Sequence, residues 1–303
     1  MSIEKKKSPP WEDALILALR DLQWCVKQQE AVDQLRYVWS LLGNSDKGKS
    51  ELTKAFLEAT RSVVAPPALL AKLDGAAESA SGDVITSVLR RFFLFECKSS
   101  TGGFKAEDGK FVFELLKKIV PSTKSEEVLL SLSRRGHHVL YPKVSYDKDG
   151  VGSELALKGF LPVHKVTLLT RCYFDALVVD ERPNQDPKWY TKDAIPAQEL
   201  MWGNQNSMGL NVAEMAAYLA TLSEVHQGGE HAHPMKVVIA SPDGFFWPGG
   251  DLSDLLAMAE YFDNSLQSSK ALYAEYQRHC DKLRDVIDQH QMQSVSLSEG
   301  LSP

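Results

Sequence analysis

RFFLFECKSS, residues Arg91–Ser100, is the most strand-like segment of this 303-residue chain. Side chains alternate between the two faces of a strand, so Phe92 and Leu94 share one face while Phe93 and Phe95 share the other. Both faces are apolar as far as Phe95, which is typical of a strand that is covered on both sides. We therefore expect a mixed α/β fold in which this segment is a central strand of a sheet flanked by helices.

The same segment ends in two charged residues on one face. Glu96 and Lys98 continue the alternation of Phe92 and Leu94. A carboxylate and an ammonium at the end of a covered strand cost free energy unless they have partners or a chemical role. Asp83 stands thirteen residues upstream of Glu96. That distance suits the preceding strand of a hairpin, which would place Asp83 beside Glu96.

Two interpretations of Asp83 remain open at this stage. On a neighbouring strand, Asp83 and Glu96 could hold Mg²⁺ through carboxylate oxygens. The metal would lower the pKa of a bound water, and Lys98 would position that water or stabilise charge developing on phosphorus. The apolar residues from Val84 to Phe92 also have helical spacing, however. If Asp83 lies on a helix, Glu96 and Lys98 form an ordinary salt bridge.

The order of Asp83, an apolar strand and Glu96-Cys97-Lys98 resembles the PD-(D/E)xK nuclease superfamily. The resemblance covers about residues 50–142 and implies a restriction-endonuclease-like core. It also implies a Mg²⁺- or Mn²⁺-dependent enzyme that acts on DNA or RNA phosphodiesters, in a bacterial mobile-element or defence setting. Asp83, Glu96 and Lys98 would be catalytic, and Asp83 and Glu96 would bind the metal. Family members often carry an acidic residue on the preceding helix, for which Glu58 or Glu51 is the candidate, and Glu58 would then be a third metal ligand.

The rest of the chain predicts three regions: a helical N-terminal region over residues 1–80, an α/β core over residues 81–250, and C-terminal helices with a disordered tail over residues 251–303. Helical spacing is found in Trp11–Leu42, Ser50–Val64, Glu126–Arg134, Val212–Val225 and Ala271–Gln289. Strands are expected at His137–Tyr141 (ended by Pro142), Lys165–Thr170, Tyr173–Val179 and Lys236–Ala240, and Pro242–Gly250 is expected to be a loop.

A phosphate-binding loop is the main alternative motif. Residues 43–50, GNSDKGKS, fit GxxxxGK[ST], and residues 177–181, LVVDE, look like a Walker B strand end. A Walker A loop needs a strand before it and a helix after it. Residues before Gly43 have helical spacing instead, so a P-loop ATPase using Lys49 is only an alternative hypothesis.

Two further features suggest binding without defining it. His226, Glu230, His231 and His233 could hold a transition metal, although surface loops also tolerate histidines. Loop aromatics could stack on bases or anchor a protein partner, or they could pack beneath the loops. They are Trp189, Tyr190, Trp202, Phe245, Phe246 and Trp247. A non-catalytic subunit of a larger protein or nucleoprotein assembly is therefore a second alternative.

The bulk composition limits these alternatives. The net charge of −6 argues against nucleic-acid binding by overall charge, so such binding would need a local basic patch or a metal. The segment Arg90–Lys118 has a local excess of positive charge. No apolar run is long enough for a signal peptide or a membrane span, and the four cysteines are scattered, so we expect a cytoplasmic protein without structural zinc. The oligomeric state is not predicted.

Overall fold

The computed structural model describes residues 12–41, 46–64, 69–73, 82–88, 91–100, 110, 113, 127–146, 164–177, 194–203, 208–227, 237–240, 246–249 and 269–299. The helices are α1 (Glu12–Leu41), α2 (Asp46–Val64), α3 (Glu127–Gly136), α4 (Tyr173–Leu177), α5 (Ala197–Trp202), α6 (Val212–Gln227) and α7 (Ser269–Glu299). The strands are β1 (Leu70–Lys72), β2 (Val84–Val88), β3 (Arg91–Cys97), β4 (His137–Tyr146), β5 (His164–Cys172), β6 (Ile195–Pro196), β7 (Val237–Ala240) and β8 (Phe246–Gly249).

A mixed six-stranded sheet organises the described residues, with its strands in the order β1-β2-β3-β4-β5-β6. β2 and β3 form an antiparallel hairpin in which Val84 pairs with Phe95. β3 and β4 are parallel, and α3 precedes β4 in the crossover that a parallel pair requires. β7 and β8 form a separate two-stranded sheet. The predicted α/β class, with a mixed sheet and flanking helices, is confirmed.

The aromatic residues of β3 explain why it lies inside the sheet. Phe93 and Phe95 are fully buried and pack with Leu15 and Leu19 of α1. Leu94 is fully buried in the other core cluster, which also contains residues of α3, α6 and α7. The sheet is therefore covered on both faces, as the sequence of β3 predicts, and the burial of large apolar side chains is the main stabilising contribution.

The long terminal helices are both attached to this core. Gln23 of α1 donates a hydrogen bond of 2.6 Å to the Thr86 hydroxyl, which in turn donates one of 2.7 Å to the carbonyl of Leu69. Leu283 and Val286 of α7 are buried in the core that contains α6. These contacts hold α1 against one face of the sheet and α7 over the other.

Three sequence-based predictions of local structure are wrong. Tyr173–Leu177 is a helix rather than a strand, because Tyr173, Phe174 and Ala176 follow β5 directly and bury their side chains in the core. β4 does not end before Pro142 but continues to Tyr146. Because β3 pairs with β4 only as far as Leu140, the part of β4 that contains Pro142 has no neighbour on the β3 side among the described residues, and the missing N–H is tolerated there. Residues 246–249 form β8 rather than loop because they pair with β7.

Several boundaries also differ. α2 begins at Asp46 rather than at Ser50, and α7 extends to Glu299 through part of the segment expected to be a tail. β1 lies within the region expected to be helical, and it pairs with β2. The division into three regions stays a prediction. None of the helices in the described part of the chain is both long enough and apolar enough to cross a bilayer.

Candidate active site

Asp83 lies immediately before β2, the first strand of the β2–β3 hairpin, and not on a helix. Its backbone N–H donates a hydrogen bond of 3.0 Å to the carbonyl of Phe95. Its side-chain Oδ2 accepts a hydrogen bond from the backbone N–H of Cys97. Asp83 therefore contacts the residues on both sides of Glu96, which fixes its carboxylate at the end of β3.

Gly82 allows this close approach. A Cβ atom at Gly82 would lie 3.2 Å from Cδ1 of Leu94 and 3.3 Å from the carbonyl oxygen of Phe95. Both distances are tighter than most Cβ contacts, so a larger residue would push the chain away from β3. A glycine before Asp83 thus helps the aspartate reach the backbone of β3.

Glu96 is paired with two ammonium groups. Nζ of Lys98 and Nζ of Lys110 each lie 2.6 Å from the same carboxylate oxygen, Oε1. Glu96 and Lys98 are both buried, whereas the side chain of Lys110 is 32% exposed. The backbone N–H of Lys98 also donates to the carbonyl of Leu140, so β4 fixes the chain that carries the lysine. Hydrogen-bonded cations offset the cost of burying the Glu96 carboxylate.

The environment of Asp83 disfavours its charged form. The pKa of this carboxyl is raised from 3.8 to about 6, chiefly by burial and to a lesser extent by the negative charge of Glu12. The Cys97 backbone N–H and the charges of Lys98 and Lys110 lower the pKa but do not offset the burial. A carboxyl group whose pKa is raised in this way is a common feature of functional sites.

Glu12 is an acidic neighbour that the sequence did not reveal. It lies in the first turn of α1, and its charge acts on the pKa of Asp83 across a large sequence separation. Glu58, the residue expected in this role, is exposed on α2, as is Glu51. The structure brings Asp83, Glu96 and Lys98 together, and the role of Glu58 stays a prediction.

Lys110 is the other neighbour that sequence reasoning missed. It belongs to the locally basic segment noted above, but its sequence gives no reason to single it out. Its contact with Glu96 spans 14 residues and depends on the path of the chain after β3. Glu96 and Lys98, by contrast, are two residues apart on one strand, so their proximity follows from the alternation of side chains.

The two carboxylates fit a hard, oxygen-binding cation. Mg²⁺ keeps several water ligands and commonly uses one or two protein carboxylates together with substrate phosphate oxygens. Asp83 and Glu96 could supply such a pair. Within the described ranges, no group of three or more His, Cys, Asp or Glu residues could hold a metal ion. Two carboxylates offer the oxygen ligands of a water-rich Mg²⁺ or Mn²⁺ site, whereas closed zinc sites use four ligands, mostly Cys and His.

The phosphate-loop motif has a different structural context from the one it needs. Helix α1 precedes it, where a Walker A loop requires a strand, and Asp46–Ser50 already belong to α2. Residues 43–45 and residues 178–181 of the Walker B match lie outside the described part of the chain. The described surroundings of Lys49 therefore do not favour a P-loop ATPase.

The remaining candidate features are only partly described. Glu230, His231 and His233 lie outside the described residues, as do Trp189, Tyr190 and Phe245. The prediction that the aromatics lie in loops is wrong for three of them: Trp202 ends α5, and Phe246 and Trp247 belong to β8.

Comparison of the chain with known protein families, with curated proteins and with solved structures gives no match.

Proposed function

We propose that this protein is a metal-dependent nuclease of the PD-(D/E)xK type, acting on DNA or RNA phosphodiesters and built on a restriction-endonuclease-like core. One observation carries the proposal: Asp83 contacts the backbone on both sides of Glu96, while Lys98 lies on the Glu96 carboxylate. The order of elements also supports it, because a hairpin that carries the three residues is followed by a helix and a parallel strand.

Each residue has a role that follows from its position. Asp83 and Glu96 would hold Mg²⁺ or Mn²⁺, with Glu12 adding negative charge at the edge of the site. The bound metal would supply charge neutralisation at the scissile phosphate and a more acidic water. Lys98 is buried and 2.6 Å from Glu96, so its ammonium is positioned to orient the attacking water and to stabilise charge on the phosphate.

The test is cleavage of labelled single-stranded and double-stranded DNA and RNA in Mg²⁺, Mn²⁺ or EDTA. We expect cleavage only with a divalent cation, and a loss of about 10²–10³-fold in rate for Lys98→Met. Methionine keeps an unbranched apolar stem, and Lys110 stays beside Glu96 in this variant, so the fold should be retained.

Lys54→Met is the matched control, because Lys54 is an exposed lysine of α2. Equal activity of wild type and Lys98→Met, or cleavage that persists in EDTA, would show that the proposed chemistry is absent. Circular dichroism spectra of all three proteins establish that they are folded.

A second candidate function, attachment to a protein partner as a subunit or adaptor, is favoured by the surface of the α1–α2 pair. Several large apolar side chains there are exposed, including Tyr37 at 64%, Trp39 at 68% and Phe56 at 58%. Exposed aromatics of this kind are common in protein interfaces. The C-terminal helix, by contrast, buries Leu283 and Val286 in the core, while its Tyr273 is exposed. Co-purification of a stable partner that is lost in Trp39→Ser, with no nuclease activity, would favour this function over the first.

A further inference from the structure

Lys98 and Lys110 contact the same oxygen of Glu96 but differ in their access to solvent. The side chain of Lys98 is 7% exposed and that of Lys110 is 32% exposed. Lys98 is also fixed by the hydrogen bond from its own backbone to β4. Lys98 is therefore built into the sheet end, whereas Lys110 approaches Glu96 from the more open side.

The charge of Lys110 reaches beyond Glu96. Burial is the main cause of the raised pKa of Asp83 and of the lowered pKa of His137 on β4, and the positive charge of Lys110 offsets part of the first and adds to the second. The described charged groups that act on the Asp83 and Glu96 carboxylates include Lys98, Lys110 and Glu12. Lys110 is thus the more exposed of two cations that face both proposed metal-binding carboxylates.

From this geometry we propose that Lys110 exchanges between two anions: it neutralises Glu96 when the site is empty, and it binds a phosphate of the nucleic-acid backbone when the site is loaded. The inference rests on the proposed function, since it assigns a substrate contact to the same site. Oε1 of Glu96 cannot keep two ammonium groups at 2.6 Å and also coordinate a divalent cation without crowding like charges. Lys110 is the one that can leave, because solvent already reaches it.

If Lys110 exchanges in this way, removing its charge should raise the affinity for the divalent cation and lower the affinity for nucleic acid. Without the Lys110 charge, the carboxylates should attract a cation more strongly, because a competing positive charge has been removed. Without the same charge, a nucleic-acid phosphate should bind less tightly, and one fewer counterion should be released on binding. A lysine that only stabilises the fold would change neither affinity in this pattern.

The experiment compares wild type, Lys110→Met, Lys110→Arg and the control Lys54→Met, all of which keep Lys98 on the buried Glu96 carboxylate. The oligonucleotides carry phosphorothioate linkages, which keep the negative charge and resist cleavage. Calorimetry measures the affinity for Mn²⁺ alone. Fluorescence anisotropy measures the affinity for single-stranded and duplex DNA and RNA in Mn²⁺, across a range of salt concentrations. We expect Lys110→Met to bind Mn²⁺ about tenfold more tightly. We expect its nucleic-acid affinity to fall severalfold, with a salt slope shallower by about 1. Lys110→Arg should resemble its parent, because arginine keeps the charge.

Unchanged Mn²⁺ affinity or an unchanged salt slope in Lys110→Met would overturn the exchange. Absence of nucleic-acid binding in every protein would overturn it as well. Failure of the proposed function gives a different result: wild type cuts no substrate, while the opposite effects of Lys110→Met on the two ligands persist. If wild type cleaves and Lys110→Met shows neither effect, the nuclease stands and the assignment of Lys110 falls.

Discussion

Replacing Asp83 with asparagine should stabilise the fold at neutral and alkaline pH. Asp83 is only 8% exposed, and its pKa is raised from 3.8 to about 6, chiefly by burial. Between these two pH values the unfolded chain loses the proton while the folded chain keeps it. The free energy of unfolding therefore falls as the pH rises through this window, and it reaches a plateau above it.

The magnitude follows from the shift. About two pH units at 1.36 kcal/mol each give a cost of about 3 kcal/mol above pH 7, and about half of that at pH 5. Asparagine has no charge to bury, and its side-chain oxygen can still accept the hydrogen bond from the Cys97 N–H. Asp83→Asn should therefore be more stable than wild type at pH 8 by up to about 3 kcal/mol, with a smaller difference at pH 5.

Urea unfolding at pH 5 and pH 8 in EDTA measures this difference, and Asp281→Asn, an exposed aspartate of α7, is the control. A variant that is equally or less stable than wild type at pH 8 would refute the argument from burial. Adding Mn²⁺ at pH 8 should raise the stability of wild type but not that of Asp83→Asn, because a ligand stabilises the state that binds it. We thus expect that the charged Asp83 carboxylate makes wild type less stable than Asp83→Asn at pH 8, and that the same carboxylate allows wild type to bind the cation.

Two further predictions concern the elements that support the sheet. Gly209→Ala should destabilise the protein by at least about 1 kcal/mol in urea unfolding. The reason is that Gly209 has a φ of 87° and that a Cβ there would lie 2.7 Å from Cβ of Arg91. Equal stability of the variant and wild type would contradict this. Asn211 and Glu214 each accept a hydrogen bond from the other's backbone N–H at the start of α6. Asn211→Ala should therefore cost about 1 kcal/mol of thermal stability, whereas no loss would show that this cap is dispensable.

The core of the fold could be predicted from local sequence because the relevant signal has a short range. The alternation in β3 identified a strand covered on both faces, and the helical spacings identified α1, α3 and α6 with boundaries close to those observed. They also identified α7, which extends ten residues beyond its predicted end at Gln289. Predictions failed where pairing or burial acted from a distance. Tyr173–Leu177 has strand-forming residues but packs as a helix, and β4 passes through Pro142 because β3 has already ended.

The sequence alone determined that Glu96 and Lys98 share one face at the end of a buried strand, since two residues of a strand always do. Only the tertiary structure decided what surrounds them. The hairpin pairing placed Asp83 before β2 and against the backbone on both sides of Glu96, which the helical spacing of the next residues had left open. In the folded chain, Lys110 contacts Glu96, and Glu12 in the first turn of α1 acts on Asp83. These neighbours depend on contacts between residues far apart in sequence, and no local pattern encodes them.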